Sequence, residues 1–169
     1  MTTSDQTLGL AILTISDTRT LENDTSGDYL AEAVVSAGHG LAARSLVRDD
    51  IYAIRAEVSR WIADPTIHAV ITTGGTGFSG RDSTPEAVAP LFDKVIEGFG
   101  ETFRTLSFDE IGSSTIQSRA VAGLANRTVI FCVPGSTGAC RTAWTGVIRD
   151  QLDREHKPCN FVAVVLGLH

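Results

Sequence analysis

The sequence is short of cysteine, of positive charge and of long apolar runs, and each shortage excludes something. Its three cysteines, Cys132, Cys140 and Cys159, are odd in number and form no CxxC pair. That arithmetic excludes a zinc ribbon and a disulfide framework. Cys132 lies inside an apolar run and reads as a buried thiol in a reducing compartment. Cys140 stands near an expected helix start, a place that lowers a thiol pKa. The histidines His39, His68, His156 and His169 are scattered without ligand spacing, so metal or triad chemistry through histidine has little support. Lys and Arg number 14 against 20 Asp and Glu, a net charge of −6. Bulk electrostatics therefore argue against duplex nucleic acid or an anionic membrane as partner. A local array of N–H groups still holds phosphate on an acidic protein. Apolar runs such as Phe161–Leu166 are far too short to cross a bilayer. Met1 to Thr7 is polar, with neither a basic nor an apolar leader segment, so a cytoplasmic protein with a flexible 1–7 is expected.

What is present is enough for a core. A chain of 169 residues, 43% hydrophobic and 20% charged, suits one domain spanning 1–169. Apolar runs alternate with amphipathic stretches. Strands are predicted at Leu8–Ile15, Leu41–Val47, Ala69–Thr73 and Thr128–Val133. Helices are predicted at Ser26–Ala37, capped by Thr25 or Ser26 and closed by Gly38, and at Ile51–Ala63, capped by Asp49 or Asp50. A third opens at Ser83-Thr84-Pro85-Glu86, either as a Ser83/Glu86 capping box or with Thr84 as cap and Pro85 at the first helical position. A fourth runs over Thr137–Leu152. Lys94–Gly123, with its glycines and hydroxyl residues, is the least regular part, read as a long functional segment or short helices. The β–α alternation predicts an α/β fold of three layers, α/β/α, around a mostly parallel central sheet. Such sheets bind ligands beyond the carboxyl ends of their strands.

Four clusters stand at such ends. The first is Thr72-Thr73-Gly74-Gly75-Thr76-Gly77-Phe78-Ser79-Gly80-Arg81-Asp82-Ser83-Thr84-Pro85-Glu86. Its glycines let N–H groups converge on an anion, and the helix start adds partial positive charge. Arg81 suits a bidentate phosphate clamp, and Asp82 suits magnesium shared with phosphate. The plain alternative is a tight turn in which Asp82 only caps. The string matches neither GxGxxG nor the Walker loop. The second cluster is Val47-Arg48-Asp49-Asp50; if its strand opens on the same crevice, Asp49 lies near Asp82 and a cation belongs between them. The alternative is plain N-capping of the Ile51 helix, which needs only one of the two aspartates. The third is Gly112-Ser113-Ser114-Thr115-Ile116-Gln117-Ser118-Arg119, hydroxyls and a guanidinium suited to a heterocycle or phosphate, or else a flexible loop. The fourth, Val133-Pro134-Gly135-Ser136-Thr137-Gly138-Ala139, is a second strand–turn–helix element whose helix start can point N–H groups at an anion, or else an ordinary βα junction. Ser16-Asp17 after the first strand lines the same crevice or makes a turn.

Taken together, Thr-Ile-Ser-Asp at 14–17, Val-Arg-Asp-Asp at 47–50, the Gly-Gly-Thr-Gly…Arg-Asp-Ser-Thr-Pro-Glu-Ala string, the serine-rich segment and Val-Pro-Gly-Ser-Thr resemble the MoaB/MogA family of molybdenum cofactor biosynthesis. That family includes the G domains of plant and animal (gephyrin) proteins. Pro134–Trp144 and Lys157–Phe161 resemble its MoaB branch, and the resemblance covers about Leu10 to Phe161. It implies the three-layer fold and a homo-oligomer, a trimer or a hexamer built from trimers. It implies molybdopterin and ATP as substrates, Mg²⁺ as cofactor, and adenylylation of the pterin's terminal phosphate with release of pyrophosphate. It also implies molybdopterin synthase or the molybdenum-insertion protein as a partner. By matching motif, Asp49 and Asp82 take the catalytic, magnesium-holding positions. Gly74, Gly75, Thr76 and Gly77, with Arg81, take the phosphate loop; Ser16 and Glu86 go with the binding residues. Ser113, Ser114, Ser118 and Arg119 match the pterin and phosphate segment, and Pro134, Gly135 and Ser136 the second loop. Arg48 stands where proline is common and Ser83 where valine is frequent; neither removes a functional group. Retention of Arg81-Asp82 favours an active member. The same residues also suit a non-catalytic molybdopterin carrier, or an unrelated nucleotide-binding α/β enzyme with a similar turn.

Overall fold

The computed structural model describes residues 7–168; the expected flexible start, apart from Thr7, lies outside them. Four strands run in parallel: β1 (Gly9–Ile15), β2 (Gly40–Val47), β3 (Ala69–Thr73) and β6 (Thr128–Val133); β2, at the edge, is the more polar, with Arg44 and Ser45. β3 and β6 are buried at every residue, as a sheet covered on both faces requires. The six-stranded order is β2-β1-β3-β6-β5-β4. β5 (Val121–Ala125) and the short β4 (Lys94–Val95) complete one edge antiparallel. Asn126 and Arg127, at φ 47° and 64°, turn β5 tightly into β6.

Helices α1 (Thr25–Ser36), α4 (Glu97–Ile111), α5 (Thr137–Ala143) and the short α7 (Val162–Val165) cover one face. Helices α2 (Ile51–Ile62) and α3 (Thr84–Val88) cover the other through Ile54, Val58, Trp61, Ala87 and Val88. This is the three-layer α/β/α arrangement. No helix among the described residues is long and apolar enough to cross a membrane.

Several local expectations are corrected, and one open choice, the cap of α2, is decided. The cap of α1 is Asp24, not Thr25 or Ser26: its Oδ1 accepts the Gly27 N–H at 3.0 Å, while Oδ2 takes the Thr14 hydroxyl at 2.5 Å and Arg44 at 3.2 Å. These bonds keep a fully buried carboxylate satisfied. At α2 the cap is Asp50, whose Oδ1 accepts from Ala53 N at 2.7 Å; Asp49 is therefore left free for other work. The Ser83/Glu86 capping box does not form. Thr84 does not cap either: its hydroxyl donates to Gly74 O at 2.8 Å, and Glu86 turns to Arg119.

The expected irregular stretch Lys94–Gly123 instead holds the 15-residue α4, then a 3₁₀ turn over Gly112–Gln117 and β5. Phe99, Phe103 and Ser107 give it a buried stripe at helical spacing. Gly98 and Gly100, poor helix formers, obscured it in the sequence. The helix expected over Thr137–Leu152 is not uniform. After α5 it widens into a π segment at Trp144–Ile148, then tightens again as α6 over Arg149–Gln151.

Candidate functional site

Parallel strands deliver their carboxyl ends to one edge, and the backbone stitches those ends together. Ser16 N donates to Val47 O at 2.9 Å, joining the mouths of β1 and β2. Gly74 N donates to Val133 O at 3.0 Å, joining β3 to β6. The Thr73 hydroxyl donates to Pro134 O at 2.9 Å. The chain segments leaving all four strands then wall a single cavity of about 490 Å³, a size suited to a nucleotide-sized ligand.

Ser16, Asp49, Gly74, Gly75, Thr76, Gly77, Arg81, Asp82, Ser118, Pro134 and Gly135 all line it. Ser16 and Gly135, far apart in the sequence, thus meet at one place. Glu86, Ser113, Ser114, Arg119 and Ser136 do not line it. Ser113 and Ser114 sit in the 3₁₀ turn after α4, and Ser136 caps α5 by accepting from Ala139 N at 3.1 Å. Arg119 braces the glycine loop: Nε donates to Gly77 O at 3.0 Å, Nη2 to Asp82 O at 3.2 Å, its guanidinium lies 5.2 Å from the Phe78 ring centre, and it pairs with Glu86. That pairing holds the Glu86 carboxyl below the usual range.

The glycine loop is an anion cradle in its backbone. Gly74 and Gly75 have φ of 104° and 71°, which only glycine adopts without strain. The Gly74 N–H is spent on Val133, but those of Gly75, Thr76 and Gly77 make no hydrogen bond among the described residues. Three unspent N–H groups in succession on a cavity wall suit phosphate oxygens.

Arg81 is not the open phosphate clamp expected of it. Asp17 takes its Nε at 2.9 Å and Nη2 at 3.0 Å. Hydrogen bonding from Arg81 holds the Asp17 carboxyl below its usual range. Arg19 was missed in the sequence. It lines the cavity beside the start of α1, and its Nη1 donates only to neutral acceptors, Thr25 Oγ1 at 3.0 Å and Asn23 O at 3.4 Å. Among the described residues it forms no ion pair with a carboxylate, which leaves its guanidinium available to an anion in the cavity. Asp24, outside every cluster the sequence offered, also lines the wall, as do Thr14 of the first motif and Gln117 of the serine-rich segment. The one available signal for Arg19 is a basic residue between the first strand's end and the next helix cap.

Asp49 and Asp82 share the cavity. Burial first, then the charges of Asp17 and Asp82, push the Asp49 carboxyl above its usual range. Such a surplus of negative charge is what a cation relieves. No three His, Cys, Asp or Glu side chains among the described residues converge as metal ligands. Magnesium bound jointly with phosphates needs only one or two carboxylates, so the pair fits it. Cys140 is not the activated thiol its position suggested: burial pushes it up to about 11, and Cys132 up to about 12. Cys159 alone of the three is exposed.

The comparison with known proteins agrees with this geometry. The family described as the probable molybdopterin binding domain matches residues 11–154. Molybdenum cofactor biosynthesis protein B of Escherichia coli K12 is 57% identical over 152 residues, covering 90% of this chain and 89% of that protein. The chain belongs to this molybdopterin-binding family, in its protein B branch. A crystal structure of a molybdenum cofactor biosynthesis protein B superposes with a TM-score of 0.87 at 41% identity, covering 97% of each chain. The tungsten cofactor synthesizing protein MoaB of Pyrococcus furiosus follows at 0.76 and 33% identity, covering 84% of this chain and 91% of that one.

Proposed function

We propose that the chain serves molybdenum cofactor biosynthesis as a molybdopterin adenylyltransferase. It moves AMP from Mg-ATP to the terminal phosphate of molybdopterin and releases pyrophosphate. The observation that carries this reading is the meeting of Asp49, Asp82 and the unspent glycine-loop amides on one cavity. A phosphate monoester already bears about −1.5 to −2 charge at neutral pH, so it attacks without a general base. The absence of histidine from the cavity wall is thus no obstacle.

One oxygen of the pterin phosphate bonds to the α-phosphorus of ATP. The bond from that phosphorus to the β-phosphate oxygen breaks, and its electron pair leaves with pyrophosphate. The protein's task is to hold two repelling anions in line. The amides of Gly75, Thr76 and Gly77 hold phosphate oxygens, and Arg19 offsets charge on the opposite helical layer. Asp49 and Asp82 hold the magnesium that enters with ATP; bound there, it neutralises phosphate oxygens and the departing pyrophosphate. We take the protein to act in the cytoplasm as a homotrimer or as a hexamer built from two trimers. In this reading molybdopterin synthase supplies its substrate and the molybdenum-insertion protein takes its product.

The test is to incubate purified protein with metal-free molybdopterin and Mg-ATP. The expected result is adenylylated pterin and pyrophosphate in equal amounts. Pterin binding without pyrophosphate release would instead make the protein a carrier. Nucleotide binding without affinity for the pterin would point to a different enzyme.

A further inference from the structure

We propose that Asp17 is a positioning residue of the nucleotide site, fastening Asp49 and Asp82 in place for the magnesium that enters with ATP. The proposal rests on the adenylyl-transfer reading above and assigns a role to a residue that reading does not use. Asp17 leaves the end of β1 next to Ser16. Its Oδ1 accepts the backbone N–H of Asp49 at 3.1 Å. Its two oxygens also take Nη2 and Nε of Arg81 at 3.0 and 2.9 Å. Arg81 immediately precedes Asp82, whose Oδ2 accepts from Ser79 N at 3.0 Å within the same loop. One carboxylate therefore ties the mouth of β2 to the loop after β3, the two segments that carry the acidic pair.

Other roles for Asp17 fit less well. It is not the cap of α1, which is Asp24. Three N–H donors already converge on its two oxygens, so it is poorly placed to be a metal ligand itself. It also spends a guanidinium that lines the cavity. Bidentate forks of this kind fix geometry as well as charge, and here the geometry fixed is that of the loop bearing Asp82.

Asp17 consequently acts with opposite sign on the two forms of the nucleotide. Towards ATP without metal it is a repelling charge that also withholds Arg81. Towards Mg-ATP it is the brace that keeps both carboxylates where the cation meets them. Removing it frees Arg81 for phosphate oxygens and removes one negative charge, while loosening the pair. A residue that merely held the fold together would weaken both forms alike.

Calorimetric titration of ATP into wild-type protein, Asp17→Ala and Asp17→Asn, each with magnesium chloride and with EDTA, reads this difference. Wild type is expected to bind ATP about tenfold tighter or more with magnesium than without. In Asp17→Ala that ratio falls towards one, with binding in EDTA unchanged or tighter. Asp17→Asn keeps an oxygen for the Asp49 amide but loses the ionic fork to Arg81, and its ratio falls between the two. An Asp17→Ala protein that keeps the full ratio overturns the proposal, as does equal loss in both arms. A wild-type protein indifferent to magnesium overturns the reading of the site itself, and the proposal with it.

Discussion

Asp82→Ala lowers kcat/KM for AMP transfer by about 10³-fold or more, because it removes charge from the point where phosphate charge must be neutralised. Its melting temperature stays close to wild type. Asp82 is half-buried at the cavity, and its side chain makes one protein hydrogen bond, from Ser79 N. Surface changes of that kind shift stability by about 0.5 kcal/mol or a little more. Asp82→Asn separates the two roles, since it keeps an oxygen for the Ser79 amide and loses only the charge. The asparagine variant is expected to melt like wild type and to be nearly as inactive as the alanine one. Coupled pyrophosphate release and a thermal melt measure both. Substantial turnover by either variant would remove Asp82 from the chemistry.

Gly74→Ala is expected to damage stability and the site together. Gly74 has φ 104°, and an added Cβ would lie 2.2 Å from the Ile15 carbonyl oxygen. That oxygen is backbone of the adjacent central strand and cannot swing away. Backbone strain and overpacking each cost about 1–3 kcal/mol, so a combined loss of about 3 kcal/mol or more is expected. For a chain of this length that lowers Tm by about 6–12 °C. The same displacement pushes the glycine loop into the cavity or unpins it from Val133, so ATP affinity falls as well. Gly80→Ala is the control. It lies in the same loop, but its Cβ would meet nothing within 4 Å and its φ is not left-handed. Its stability should stay within about 0.5 kcal/mol of wild type. A Gly74→Ala protein as stable as that control would show that the mouths of β1 and β3 have slack.

The layers were legible because four strands announce themselves as apolar runs and two long helices as apolar stripes. Leu30 and Val34 on α1, and Ile54, Val58 and Trp61 on α2, sit in the core as their spacing required. α4 was hidden because its stripe is carried by two phenylalanines and a serine between glycines, a weak pattern beside its composition. The cavity was legible because parallel strands can end only at one edge. Eleven of the sixteen residues expected at the site line it, and the five that do not are tied up locally as caps, braces or 3₁₀ surface.

Pairing was not legible. Nothing in the local sequence tells that Arg81 meets Asp17, 64 positions earlier, rather than a phosphate. Nothing near Cys140 tells that the adjoining strand and helix bury it and so raise its pKa. A helix start lowers a thiol pKa only where the thiol also reaches water, and exposure is a property of the folded layers. The choice between Asp49 and Asp50 as cap was equally open in the sequence. The structure assigns the cap to Asp50 and thereby releases Asp49.

The central claim is that Asp49, Asp82 and the glycine loop act together on one magnesium nucleotide. A crystal structure of the protein with magnesium and a non-hydrolysable ATP analogue measures this most directly. The expected result has phosphate oxygens on the amides of Gly75, Thr76 and Gly77, and the cation reached by both carboxylates, directly or through one water. A nucleotide seated elsewhere, or a cation touched by neither aspartate, would contradict it.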